Sequence, residues 1–163
     1  MAASTTKKVL IRRLDRQLIA GFATPQTYLR PEGVEILTRG GQVLMTPYKE
    51  LKAVYFVREF EERPEEETRR LFQSRPKLDG LWVRMKFRDD EVIDGVLPND
   101  LLRLMDNGLT ITPPDPYANT QRIFVPREAL SELAVLGVIG SPLNRDRRKR
   151  RAPAKEQIEL FTP

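Results

Sequence analysis

Apolar residues recur along this chain in short runs with a period near two, the spacing of half-buried β-strands. Val9-Leu10-Ile11-Arg12 is the first such run, and it meets a turn at Asp15-Arg16. Leu18 to Phe22 predicts a second strand and Val34 to Thr38 a third. The third stops at Arg39-Gly40-Gly41, a hairpin signal because glycine tolerates positive φ. Gln42 to Thr46 returns as a fourth strand. Pro47-Tyr48-Lys49-Glu50 predicts one tight helical turn, since proline suits a first helical position. The apolar, β-branched and aromatic run Ala53 to Val57 then closes the unit.

The same order recurs further on. Val83 to Phe87 leads to a turn at Asp89-Asp90 and then to Val92 through Val96. Placing Gly95 on Gly21 brings Ile93 onto Ile19, Asp89 onto Asp15, Met85 onto Ile11 and Val83 onto Val9. Pro126, Leu130 and Leu133 fall on Pro47, Leu51 and Val54 with a larger shift, which the loop Pro113 to Asn119 absorbs. This predicts a mainly β chain made of two tandem, pseudo-repeated five-strand units. The expected boundaries are a disordered N-terminus at 1–7, unit 1 at 8–60, a helix and linker at 61–80, unit 2 at 81–138 and a disordered basic tail at 139–163. The helix is expected over Arg63 to Ser74, with Glu65, Glu66 and Glu67 in its first turn and Arg69 and Arg70 later, as the helix dipole prefers. The tail is polar and highly charged, and predicts disorder.

Composition narrows the chemistry. The 163 residues include no histidine and no cysteine. Ser-His-Asp and Cys-His nucleophilic sites are thereby excluded, as are ordinary zinc sites. Carboxylate, lysine or tyrosine chemistry remains, or a hard oxygen-bound cation. Asp89, Asp90, Glu91 and Asp94 cluster, but alternation sends Glu91 to the opposite strand face from Asp90 and Val92. A β-turn explains Asp89-Asp90 without a metal, and Glu59, Glu61 and Glu62 read as linker charges. No carboxylate pair or glycine-rich phosphate loop is recognisable. The expectation is a non-enzymatic protein with no cofactor and no metal. With no apolar run of membrane-spanning length and no signal peptide, it is expected to be cytoplasmic and free of membrane.

The net charge of +5 is unevenly distributed. From Ser141 onward there are seven Lys/Arg against three Asp/Glu, leaving 21 against 20 in the rest. The excess belongs to the tail, so the folded part is not itself a broad basic platform.

The order strand, acidic turn, strand ending in glycine, two strands, helical turn and last strand resembles an Sm-like or SH3-like barrel. VLIRRLDRQLIAGF and PYKELKAVYFVREFE also resemble an uncharacterised bacterial family with Val-x-x-Arg-x-x-Asp and Leu-Lys-Ala-Val-x-Phe-Val-Arg segments. That resemblance covers most of residues 8–137, and implies fold and bacterial origin but no activity. Sm-like proteins bind RNA, and Arg39-Gly40 is similar to their Arg-Gly step, although unit 2 lacks it. The alternative is a hairpin that needs glycine. Arg12 and Arg16 have the R-x-x-x-R spacing of PilZ domains, which bind cyclic dinucleotides; bidentate guanidinium contacts would suit a phosphate pair. The second PilZ element is absent, and the solvent face of a strand is the plain alternative for Arg12.

In the tail, Gln157-Ile158-Glu159-Leu160-Phe161 resembles the peptide by which bacterial polymerases and repair proteins dock on the sliding clamp. The resemblance implies that Gln157 hydrogen-bonds at the pocket rim, that Ile158, Leu160 and Phe161 are apolar anchors, and that Glu159 faces solvent. Apolar residues ending a charged tail suit a partner groove on physical grounds too, because a few buried anchors carry most of an interface's energy. The adjacent run Arg147, Arg148, Lys149, Arg150 and Arg151 would add non-specific phosphate attraction to DNA or RNA. Oligomeric state is left open, and an exposed final strand in either unit could add across a partner's edge.

Overall fold

The computed structural model describes residues 5–60, 70–103, 107–115 and 118–140. They form ten strands: β1 (Lys7–Arg13), β2 (Leu18–Ala23), β3 (Gly33–Thr38), β4 (Val43–Pro47), β5 (Leu51–Val57), β6 (Gly80–Phe87), β7 (Val92–Leu97), β8 (Gly108–Ile111), β9 (Thr120–Pro126) and β10 (Leu130–Ile139). Three-residue 3-10 turns at Tyr48–Glu50 and Arg127–Ala129 introduce β5 and β10, each following a proline, Pro47 or Pro126. A third lies at Leu101–Arg103.

Every strand pairing is antiparallel. One sheet has the order β4-β3-β2-β1-β5-β9-β8 and the other β10-β6-β7. A bridge between Val96 and Thr112, with both amides donating at 3.0 Å, joins β7 to β8. The ladder therefore runs from β10 at one end to β4 at the other. The pairing of β5 with β9 is where the first half of the chain meets the second.

Alternation explains the faces. On β1, Val9 and Ile11 are fully buried, while Lys8, Leu10 and Arg12 point the other way. The β1–β2 and β6–β7 hairpins turn through Arg16 and Asp90, both at positive φ. Before each, an aspartate carboxylate accepts the amide two residues on, Asp15 from Gln17 and Asp89 from Glu91. Such local bonds stabilise a turn that the backbone alone disfavours. Gly21 and Gly95 mark close approach: a Cβ at Gly21 would lie 2.5 Å from the Leu37 carbonyl oxygen, and one at Gly95 would lie 2.6 Å from Ile111 Cδ1.

Two apolar clusters result. One gathers Val9, Ile11, Val34, Ile36, Leu51 and Val54 of the first half around Tyr28 and Tyr48. The other gathers Val83, Met85, Phe87, Ile93, Ile111, Ile123 and Val125 of the second. Each also receives a residue from across the joint. Phe124 of β9 enters the first cluster, and Ala53 of β5 enters the second.

The helix expected over Arg63 to Ser74 falls largely outside the described residues, and 70–74 is not helical. Here the Phe72 amide donates to the fully buried Asp94 carboxylate, and the Arg70 carbonyl accepts the Asp94 amide at 2.8 Å. Those bonds strap the segment onto β7 and use backbone groups that a helix would need.

Candidate interaction site

The joint between the halves is apolar in the middle of its ladder, with Arg122 opposite Phe56 toward one end and ion pairs at the other. Val54 faces Phe124 and Tyr55 faces Ile123. Phe124 is fully buried and meets Tyr28 edge-on at 6.0 Å between ring centroids. Burial pushes the Tyr28 hydroxyl up to about 12, and raises that of Tyr55.

Beside this ladder lies Lys52, only 5% exposed and held over the Phe87 ring at 5.0 Å. Its ammonium donates to Asp89 at 2.5 Å and to Glu91. Burial alone would depress the lysine, but the two hydrogen bonds and two negative charges outweigh it and its pKa is raised. For Asp89, desolvation is likewise outweighed by the bonds from Lys52 and the Glu91 amide, and its pKa is lowered. Lys52 lies on β5 and both carboxylates lie at the β6–β7 turn, so the ion pairs tie one half to the other. These carboxylates are thus occupied by a cation from the same chain. Among the described residues, no group of three or more acidic side chains could hold a metal ion.

Sequence reasoning passed over Lys52, although one signal was there: a single charge inside the apolar run Leu51 to Val57. A second network fixes Asp94, whose carboxylate takes a fork from Arg84 at 2.7 and 3.0 Å.

The three arginines named from sequence have different surroundings. Arg12 is half-buried on the face of β1 opposite to Val9 and Ile11, paired with Ala53 and close to the Tyr55 hydroxyl. Arg16 occupies the β1–β2 turn. Arg39 lies over the Phe60 ring at 5.0 Å, and Lys8 lies over the same ring at 5.6 Å. Lys8 and Arg12 are four residues apart on β1, about 13 Å along a strand. Arg39 therefore keeps company with Lys8 and Phe60 rather than with Arg12. Gln157, Ile158, Leu160 and Phe161, and the run Arg147 to Arg151, lie outside the described residues.

Leu101 and Leu102 of the third 3-10 turn are the most exposed apolar residues, but the exposed apolar residues that share a strand gather on the two terminal strands of the ladder. Val43 and Met45 of β4 are exposed, as are Leu133, Val135, Leu136 and Val138 of β10. Among the described residues β4 pairs only with β3, and β10 only with β6. Among the described residues no strand takes up the backbone groups on their outer edges, and the Val138 carbonyl accepts from Arg75 at 2.9 Å.

No helix among the described residues is long and apolar enough to cross a membrane. No curated protein and no solved structure matches the chain. A family model described as a family of unknown function, DUF6982, does match, over residues 5–137. The chain belongs to that family.

Proposed function

We propose that this chain is a non-enzymatic binding protein: two tandem Sm-like or SH3-like units that act as an adaptor, carrying a C-terminal peptide for the bacterial sliding clamp. The observation behind the tandem reading is register. Ile11 pairs with Ile19 and Val54, and its counterpart Met85 pairs with Ile93 and Leu133. Gly33 pairs with Pro47, and Gly108 pairs with Pro126. Phe22 pairs with Leu37, and Val96 bridges Thr112. Offsets of 74, 75 and 79 residues, constant within each strand, map one half's pairs onto the other's. This succession of registers supports the tandem reading over two unrelated meanders that share a turn or a glycine.

The partner follows from Gln157 to Phe161, whose Leu-Phe anchors suit an apolar groove. Clamp binding would hold Arg147 to Arg151 close to duplex DNA, where basic side chains gain phosphate contacts. In a calorimetric titration, the full-length chain binds purified bacterial clamp with Kd of about 1–10 µM. Leu160→Ala with Phe161→Ala abolishes binding. A wild-type chain that leaves the clamp unbound sinks the adaptor reading.

A further inference from the structure

We infer that the chain assembles head to tail with further copies of itself, β10 of one copy pairing with β4 of the next in the register already used between β5 and β9. The inference rests on the tandem-unit reading, because that reading makes the two joints equivalent. In the succession of registers, β10 stands where β5 stands and β4 where β9 stands. The chain joins β5 to β9 internally. It leaves open the other two members of the same contact, among the described residues.

Residue by residue, the open edges match. Val54 facing Phe124 becomes Leu133 facing Met45 of the next copy. Phe56 facing Arg122 becomes Val135 facing Val43. All four are apolar and exposed: Leu133 by 45%, Val135 by 58%, Met45 by 38% and Val43 by 72%. The charged residue in this stretch of β10, Glu132, falls opposite Thr46. Solvent-facing positions with these side chains would otherwise make β10 a long aggregation-prone edge.

The pattern of β10 carries the same message. Leu133 to Ile139 is continuously apolar apart from Gly137. A continuous run is the signature of a strand covered on both faces, as in Leu51 to Val57, where only Lys52 interrupts. In a single copy, one such strand is covered and the other is not. Pairing in the β5–β9 manner is antiparallel and joins unlike edges, so each added copy presents a fresh β4 and a fresh β10. Contacts of this kind build rings, or filaments where the rotation does not close.

The test is the mass of the full-length chain in solution, measured by light scattering at about 100 µM. Head-to-tail assembly gives a mass that is a multiple of 18.8 kDa. Val43→Lys alone and Val135→Glu alone each give the 18.8 kDa monomer. Combining both changes in one chain restores assembly, because the introduced ammonium and the introduced carboxylate then face each other across every joint. Circular dichroism shows all three variants to be folded, as expected for substitutions at exposed positions. A wild-type chain that stays monomeric overturns the inference. So does assembly that Val43→Lys leaves intact, which is the outcome for β10 pairing with β10, whereas the chain's own C-terminal segment covering β10 gives the monomeric wild type. A monomer that still binds the clamp overturns assembly alone and leaves the adaptor reading standing.

Discussion

The joint of β5 with β9 and the open edges of β10 and β4 are the same kind of strand in two different circumstances. In the joint, a near-continuous apolar run is covered on both faces: Val54 packs into one cluster and Ala53 into the other. At the edges, a comparable run keeps one side in water. The joint has Lys52 tied to Asp89 and Glu91 at its border, whereas the position of β10 matching Lys52 is Ser131, bonded only to the carbonyls of Lys86 and Phe87. One contact is locked by apolar packing and ion pairs. The other is left open among the described residues, with the apolar residues but not the lock, as suits a contact made between separate chains.

Truncation at the joint gives the largest contrast. Phe124→Ala should cost about 3–5 kcal/mol in urea unfolding, since it empties a fully buried aromatic site touching both halves. Its counterpart on the open edge, Met45→Ala, should cost less than about 1 kcal/mol in dilute chain, because the side chain already meets water. Equal costs would break the comparison.

Lys52→Met comes next. It leaves Asp89 and Glu91 without their cation, and should destabilise by about 2 kcal/mol. That is less than for a wholly enclosed pair, because the Asp89 side chain is half in water.

The same ion pairs set a pH window. The raised Lys52 pKa means that its contribution is complete below the ordinary lysine value of about 10.4 and fades as pH rises through the folded value. The lowered Asp89 pKa means that its contribution is present above the ordinary carboxylate value of about 4 and fades as pH falls through the folded value. Stability against pH should therefore lose part of both flanks in Lys52→Met. Unchanged flanks would show that the pairs do not lock the joint.

The smallest effect is in amide exchange. In dilute chain, outward amides of β10 and β4 should exchange faster than those of β5 and β9, and raising the concentration should slow the β10 and β4 amides selectively.

Much of the fold was legible in the residues. Alternation at Val9 to Arg12, the Asp15 and Asp89 turns, and Pro47 before a helical turn all reflect forces acting within a few residues. Gly21 and Gly95 were readable as positions within hairpin strands for the same reason, since each pairs with the strand just before it. The expected helix was less legible at 70–74. Its charge pattern is a local preference, whereas the Asp94 carboxylate that claims the Phe72 amide lies 22 residues away. Lys52 was missed because its burial depends on two carboxylates supplied by the other half of the chain.

The sequence by itself determined that the chain is mainly β, where its turns lie, and that the His- and Cys-based nucleophilic sites are excluded. Short-range sterics and composition suffice for those. Only the tertiary structure decided that β5 pairs with β9, that Phe124 and Ala53 cross between clusters, and that β10 and β4 end the ladder. Strand neighbours distant in sequence are chosen by which edges meet in space, and an apolar run carries no label saying which edge that will be.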